Sequence, residues 1–89
     1  MKVIMVQSKA RDFLGKVIVS EETGRKFGVV GDLSFVAESG ELLSIVMTEP
    51  TKHSTELNLE RDAKDRLLVP FSAVKSVGDF VIISEKEIV

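Results

Sequence analysis

One histidine, His53, and no cysteine make up the whole imidazole and thiol inventory of this 89-residue chain. A zinc site takes several His, Cys or carboxylate ligands held together, and one imidazole among scattered acids does not supply them. His53 therefore reads as a solvated residue of a charged loop. Glu60, Asp62 and Asp65 offer the oxygen donors that calcium favours. They lack the ligand order and central glycine of a calcium loop, and read as a charged turn. Gly24, Gly28 and Gly31 invite a phosphate-cradling loop. That chemistry needs a glycine followed by Lys and Ser or Thr at a helix N-terminus, whereas Gly31 is followed by Asp32 and Leu33 in a strand-like segment. Ser72 and Ser76 have no histidine in a pattern that would activate them. No pair of carboxylates stands in an apolar setting suited to acid–base catalysis. The expectation is a binding protein and not an enzyme, with no catalytic residue, metal or cofactor.

Composition sets the outer bounds. The chain is short enough for a single domain spanning residues 1–89. Its 44% hydrophobic and 29% charged residues suit a soluble globular fold rather than a disordered segment. Twelve Lys and Arg against fourteen Asp and Glu leave a net charge of −2. That provides no field for phosphate backbones, so direct nucleic-acid contact is not expected. Lys2 precedes only Val3 to Val6 before the polar Gln7, too little for a secretory signal. No apolar run approaches the ~20 residues of a membrane span, so no direct membrane insertion is expected. A cytoplasmic location fits the absence of cysteine.

The apolar residues repeat with period two. From Phe27 to Ala37, odd positions carry Phe27, Val29, Leu33, Phe35 and Ala37, as in a strand with one core face. Val17 to Val19 reads as the preceding strand, and Glu21 to Lys26 as a hairpin turn with Gly24 at the positive-φ position. Glu38 to Glu41 marks a second turn into Leu42 to Met47. Residues 49–66 are rich in charge and read as a long loop, with Thr55 to Leu59 as a possible edge strand. Leu67 to Val69 and Phe80 to Ile83 read as further strands. Pro70 closes the first of these, and Phe71 to Val74 suits one turn of 3₁₀ helix. Ser8 could cap a single helical turn at the front. The fold class expected is all-β: a small closed barrel of five to six mainly antiparallel strands with a short helical turn. Its expected core is Phe13, Val17, Val19, Val29, Leu33, Phe35, Ile45, Leu68 and Phe71.

Several of these segments resemble the PRC-barrel family over about residues 10–84. The matching features are Leu14-Gly15, Gly24 and Gly28 followed by Val30, Asp32-Leu33, and the turn from Ser39 to Leu42. Val69-Pro70-Phe71 followed by Val77-Gly78-Asp79 is the most specific part. The chain departs at Asp65-Arg66, where many relatives have Gly-Arg. The resemblance implies a small β-barrel used for binding, most similar to stand-alone archaeal members of the family. Some of those bind SepF, the membrane anchor of the FtsZ division ring. The function implied is a non-catalytic protein–protein adaptor, a cell-division accessory binding a SepF-like anchor. The alternative is a ribosome-maturation or RNA-processing accessory similar to the C-terminal barrel of RimM.

Apolar residues exceed what one small barrel can turn inward. Val3 to Val6 and Phe80 to Ile83 are apolar on both alternating faces. The expectation is a homodimer built by these terminal segments, with Ile4, Val6, Val81 and Ile83 as candidate dimer or partner interface residues.

Overall fold

The computed structural model describes residues 10–88. A short helix α1 (Ala10–Phe13) leads through Gly15, at φ 82°, into β1 (Val17–Ser20). Then come β2 (Lys26–Phe35), β3 (Leu42–Thr48) and the helical turn α2 (Lys52–Thr55). The two-residue β4 (Glu60–Arg61), β5 (Leu67–Pro70) and a 3₁₀ turn (Phe71–Ala73) follow. The remainder is β6 (Val74–Val77), β7 (Phe80–Ile83) and a last 3₁₀ turn (Glu85–Glu87). The all-β class and the helical turn at the front are as expected, while Ser8 lies outside the described residues.

The strands form one seven-stranded sheet in the order β4-β5-β3-β2-β1-β7-β6. That is one or two strands more than expected, because β4 and β6 are short and their alternation is weak. Closure into a barrel was also expected, and it does not occur among the described residues: β4 and β6 remain the sheet's two edges. Pairing is antiparallel except for β1 and β7, which run parallel and join the front of the described chain to its end. The stretch expected as one loop, residues 49–66, instead contains α2 and β4. Thr55 to Leu59, the possible edge strand, precedes the true edge strand at Glu60–Arg61.

Side-chain facing follows from register, since a shift of one residue moves a strand's whole apolar set to the other face. Ile18, Val81 and Ile83 are fully buried. Val17 and Val19, expected inside, are half-exposed because they alternate with Ile18. The β1–β2 ladder skips Phe27 and the β2–β3 ladder skips Gly31 and Leu43. Each skipped residue is a bulge that reverses the inside–outside parity. Phe27 and Val30 therefore face the core while Val29 is half-exposed. Leu33, Phe35 and Phe71 are partly buried against the core, and Phe13 and Ile45 are buried as expected. Leu68 is half-exposed; its neighbours Leu67 and Val69 hold the core positions.

Close approach dictates one glycine. A Cβ on Gly28 would stand 2.6 Å from Met47 Cγ and 2.8 Å from the Thr48 carbonyl oxygen, closer than packed atoms tolerate. Gly28→Ala should therefore destabilise the protein by ~1–3 kcal/mol, the usual cost of overpacking. Phe27→Ala should cost ~3–5 kcal/mol, and Phe35→Ala distinctly less because that ring is only partly buried. Urea unfolding of the three variants checks the order; an equal loss in both Phe variants would contradict the bulge at Phe27.

Candidate functional site

The parallel register places Val17 beside Phe80, Ile18 beside Val81, Val19 beside Ile82 and Ser20 beside Ile83. Since Ile18, Ser20, Val81 and Ile83 point into the protein, Val17, Val19, Phe80 and Ile82 share the outward face. Val29 on β2 continues the row as the partner of Val17. Five apolar side chains thus face outward from three adjacent strands; Phe80 is exposed at 50%, and the other four are partly buried around it. At one corner the Lys16 ammonium donates to the Gly78 carbonyl. This contact brings the start of β1 to the β6–β7 turn, so the exposed Leu14 borders the same patch, whereas the exposed Val77, paired with the inward Val81, lies on the other side of β6. A contiguous apolar surface of this kind marks an interaction site more often than scattered exposed residues do.

Two of the expected interface residues are therefore on the wrong face. Val81 and Ile83 are fully buried and have no surface to offer; the outward residues of β7 are Phe80 and Ile82. Ile4 and Val6 lie outside the described residues. Leu14 and Phe80, though read as apolar surplus, were not among the candidate interface residues. Continuous apolar runs hide which parity faces out, and only the pairing of β1 with β7 resolves it.

A polar clasp fixes the end of β7 behind this face. Glu22 accepts from the Ser84 hydroxyl at 2.6 Å and the Glu85 backbone N–H at 2.8 Å. The Ser84 hydroxyl, followed by that backbone N–H, pulls the Glu22 carboxyl down to about 2. His53 stands between two partners, with Nε2 3.3 Å from a Glu85 oxygen and Nδ1 3.2 Å from an Arg25 guanidinium nitrogen. A guanidinium only donates, so Nδ1 must accept and the ring proton sits on Nε2, donating to Glu85. The ring also meets Phe27 edge-on at 5.4 Å. His53 is thus a buttress of the fold and not the freely solvated residue expected. The Ser20 hydroxyl, then His53 and Thr23, hold the Glu85 carboxyl below its usual range.

Among the described residues, no group of three or more His, Asp or Glu side chains is arranged to hold a metal ion. Asp62 accepts the backbone N–H groups of Lys64 at 3.0 Å and Arg66 at 2.8 Å and pairs with the Arg66 guanidinium at 2.8 Å. It is the knot of a tight turn. Asp65 in that turn adopts φ 64°, the left-handed conformation that glycine takes freely and aspartate tolerates. The departure from Gly-Arg thus leaves the turn's shape intact. Two adjoining clefts of about 170 and 360 Å³ share Asn58 and Ile88 in their linings.

A family model of the PRC-barrel domain matches residues 5–88. The chain belongs to the PRC-barrel family. The match extends beyond the 10–84 stretch of the resemblance at both ends, and no curated protein matches the chain. In this PRC-barrel protein no helix among the described residues is long and apolar enough to cross a membrane. What distinguishes its surface is the apolar outer face of β2, β1 and β7.

The clasp carries a pH signature. A carboxyl whose folded pKa is lowered contributes stability above its unfolded pKa and loses it as pH falls through the folded value. For Glu22 that window runs from 4.5 down to about 2. Urea midpoints should show wild type more stable than Glu22→Gln at neutral pH, with the gap closing across that window. A gap independent of pH would contradict the clasp. Nitrogen-15 NMR of His53 should show the Nε2–H tautomer at neutral pH, and an Nδ1–H signal would place the imidazole differently.

Proposed function

We propose that this PRC-barrel protein is a non-catalytic adaptor that docks onto another cytoplasmic protein through the outer face of β1, β2 and β7. The observation that carries this reading is the row of Val29, Val17 and Phe80, extended by Val19 and Ile82, with Leu14 at its border. Burying a few such side chains at ~1.5–3 kcal/mol each supplies enough gross stabilisation for association. The net acidic charge favours a protein partner over nucleic acid. The family's use in binding is consistent with this surface. Among its partners we favour a SepF-like anchor of the division ring, on the resemblance to stand-alone archaeal members.

Affinity purification from native lysate tests the reading. Wild-type protein should retain a division-ring anchor, and Phe80→Asp should lose it by a factor of roughly ten or more, the loss typical of a central aromatic contact. Val81→Ala should weaken the fold more than the capture. Retention of ribosomal proteins instead would redirect the assignment to ribosome maturation. Undiminished capture by Phe80→Asp would remove the outer face from the account.

A further inference from the structure

The β2–β3 hairpin and the outer face have opposite characters. From Phe27 to Thr51 the chain carries Asp32, Glu38, Glu41 and Glu49 and no basic residue at all. β1 pairs with β2 only as far as Val29, and β5 pairs with β3 only from Ser44 to Met47. The part from Asp32 to Leu43 therefore extends past the ladders of both flanking strands as an arm, with Leu42 buried in the core and Leu33 and Phe35 packed against it, so that its tip and outer side are what it exposes. Its tip is tied by Val36 N–H donating to the Glu41 carbonyl at 2.8 Å and Gly40 N–H donating to the Val36 carbonyl at 2.7 Å. Glu38 and Glu41 are exposed. Leu43, pushed out by its bulge, is 54% exposed, more than any other large apolar residue noted on the surface.

The outer face is bordered mainly by lysines. Lys26 is the β2 partner of Val19, and Lys52 lies beside it, since Thr51 donates to the Lys26 carbonyl at 2.8 Å. Lys16 holds the Gly78 corner, and Lys75 stands on the β6 edge within 4.0 Å of Glu87. The border also carries carboxylates: Glu87, paired with Lys75, Asp79 next to Phe80, and Glu49 next to Thr48, the β3 partner of Val29. The arm thus offers an apolar knob with carboxylates, and the face an apolar floor with a majority of ammonium groups.

We propose that the β2–β3 arm of one copy docks on the outer face of the next, head to tail. Leu43 meets the Phe80 and Ile82 row, and Glu38 and Glu41 meet the lysine border. This assembly rests on the outer face being a docking surface. Arm and face are different patches of one molecule, so the contact is heterologous: it repeats along a chain of copies and does not close as a two-fold dimer. It also competes with any partner bound to the same face.

Light scattering and sedimentation of the full chain over a range of concentrations test this assembly. The wild-type mass should rise past two subunits with concentration and fall with added salt, which screens the rim charges. Glu38→Lys with Glu41→Lys removes the arm, and Phe80→Asp removes the face. Each variant alone should be monomeric, with self-affinity lower by roughly tenfold or more. Mixed in equal amounts, they retain one intact face and one intact arm between them and should form a two-subunit complex that grows no further. Circular dichroism confirms that each is folded, and Lys26→Glu replaces Phe80→Asp if the latter is not. A wild-type monomer at every concentration, a dimer unaffected by the arm substitutions, or a mixture that stays monomeric would each overturn the assembly. In those cases, loss of partner capture by Phe80→Asp would still support the outer face as a docking surface.

Discussion

The parallel register of β1 against β7 governs the rest of this protein. Setting Ile18 beside Val81 and Ser20 beside Ile83 commits one side of both strands to the core. The alternating residues Val17, Val19, Phe80 and Ile82 then have nowhere to go but outward. A slip of β7 by one position would bury Phe80 and expose Val81, exchanging core and surface along that strand. Because these strands come from opposite ends of the described chain, their pairing is a long-range contact whose loop closure must be offset by the apolar burial it secures. The surface patch is therefore the obligatory other side of the core.

The clasp explains how that register is held at its free end. β7 terminates at Ile83, whose carbonyl accepts from the Glu21 N–H at 2.7 Å, and Ser84 N–H donates to Ala73 at 2.8 Å. Glu22 and His53 then anchor Ser84 and Glu85 from two different segments. Buried Ser20, Ser54 and Ser84 sit among these contacts. Ser54 Oγ lies 2.9 Å from the Phe27 carbonyl oxygen and 2.8 Å from that of Thr51, so its burial leaves no polar atom unpaired. Residues that look like loop chemistry in the sequence are the fastenings of the sheet.

The all-β class, the hairpin at Gly24, the β2–β3 turn and the family were legible in the sequence. The facing of side chains was not. Alternation reports a face only where the other face is polar, and Val17 to Val19 and Phe80 to Ile83 are apolar on both. In β2 the apolar odd positions Phe27, Val29, Leu33 and Phe35 are interrupted only by Gly31. The ladder nevertheless skips Phe27 and Gly31, and no local signal apart from the glycines betrays a bulge. β6 escaped notice because Lys75 and Ser76 dilute a four-residue strand. The role of His53 depends on Arg25 and Glu85, which stand 28 and 32 residues away along the chain and could not be paired with it by spacing.

The absence of native cysteine makes single-cysteine labelling the most direct measurement of which face of β7 is outward. Phe80→Cys and Val81→Cys place thiols on adjacent residues of one strand, and a thiol reagent reports their access in the folded protein. In dilute solution Cys at position 80 should react at the rate of an exposed thiol, whereas Cys at position 81 should react only as the protein unfolds in urea. Fast labelling at 81 with protection at 80 would reverse the register and remove the outer face, and equal labelling at both would mean that β7 is not held in the sheet.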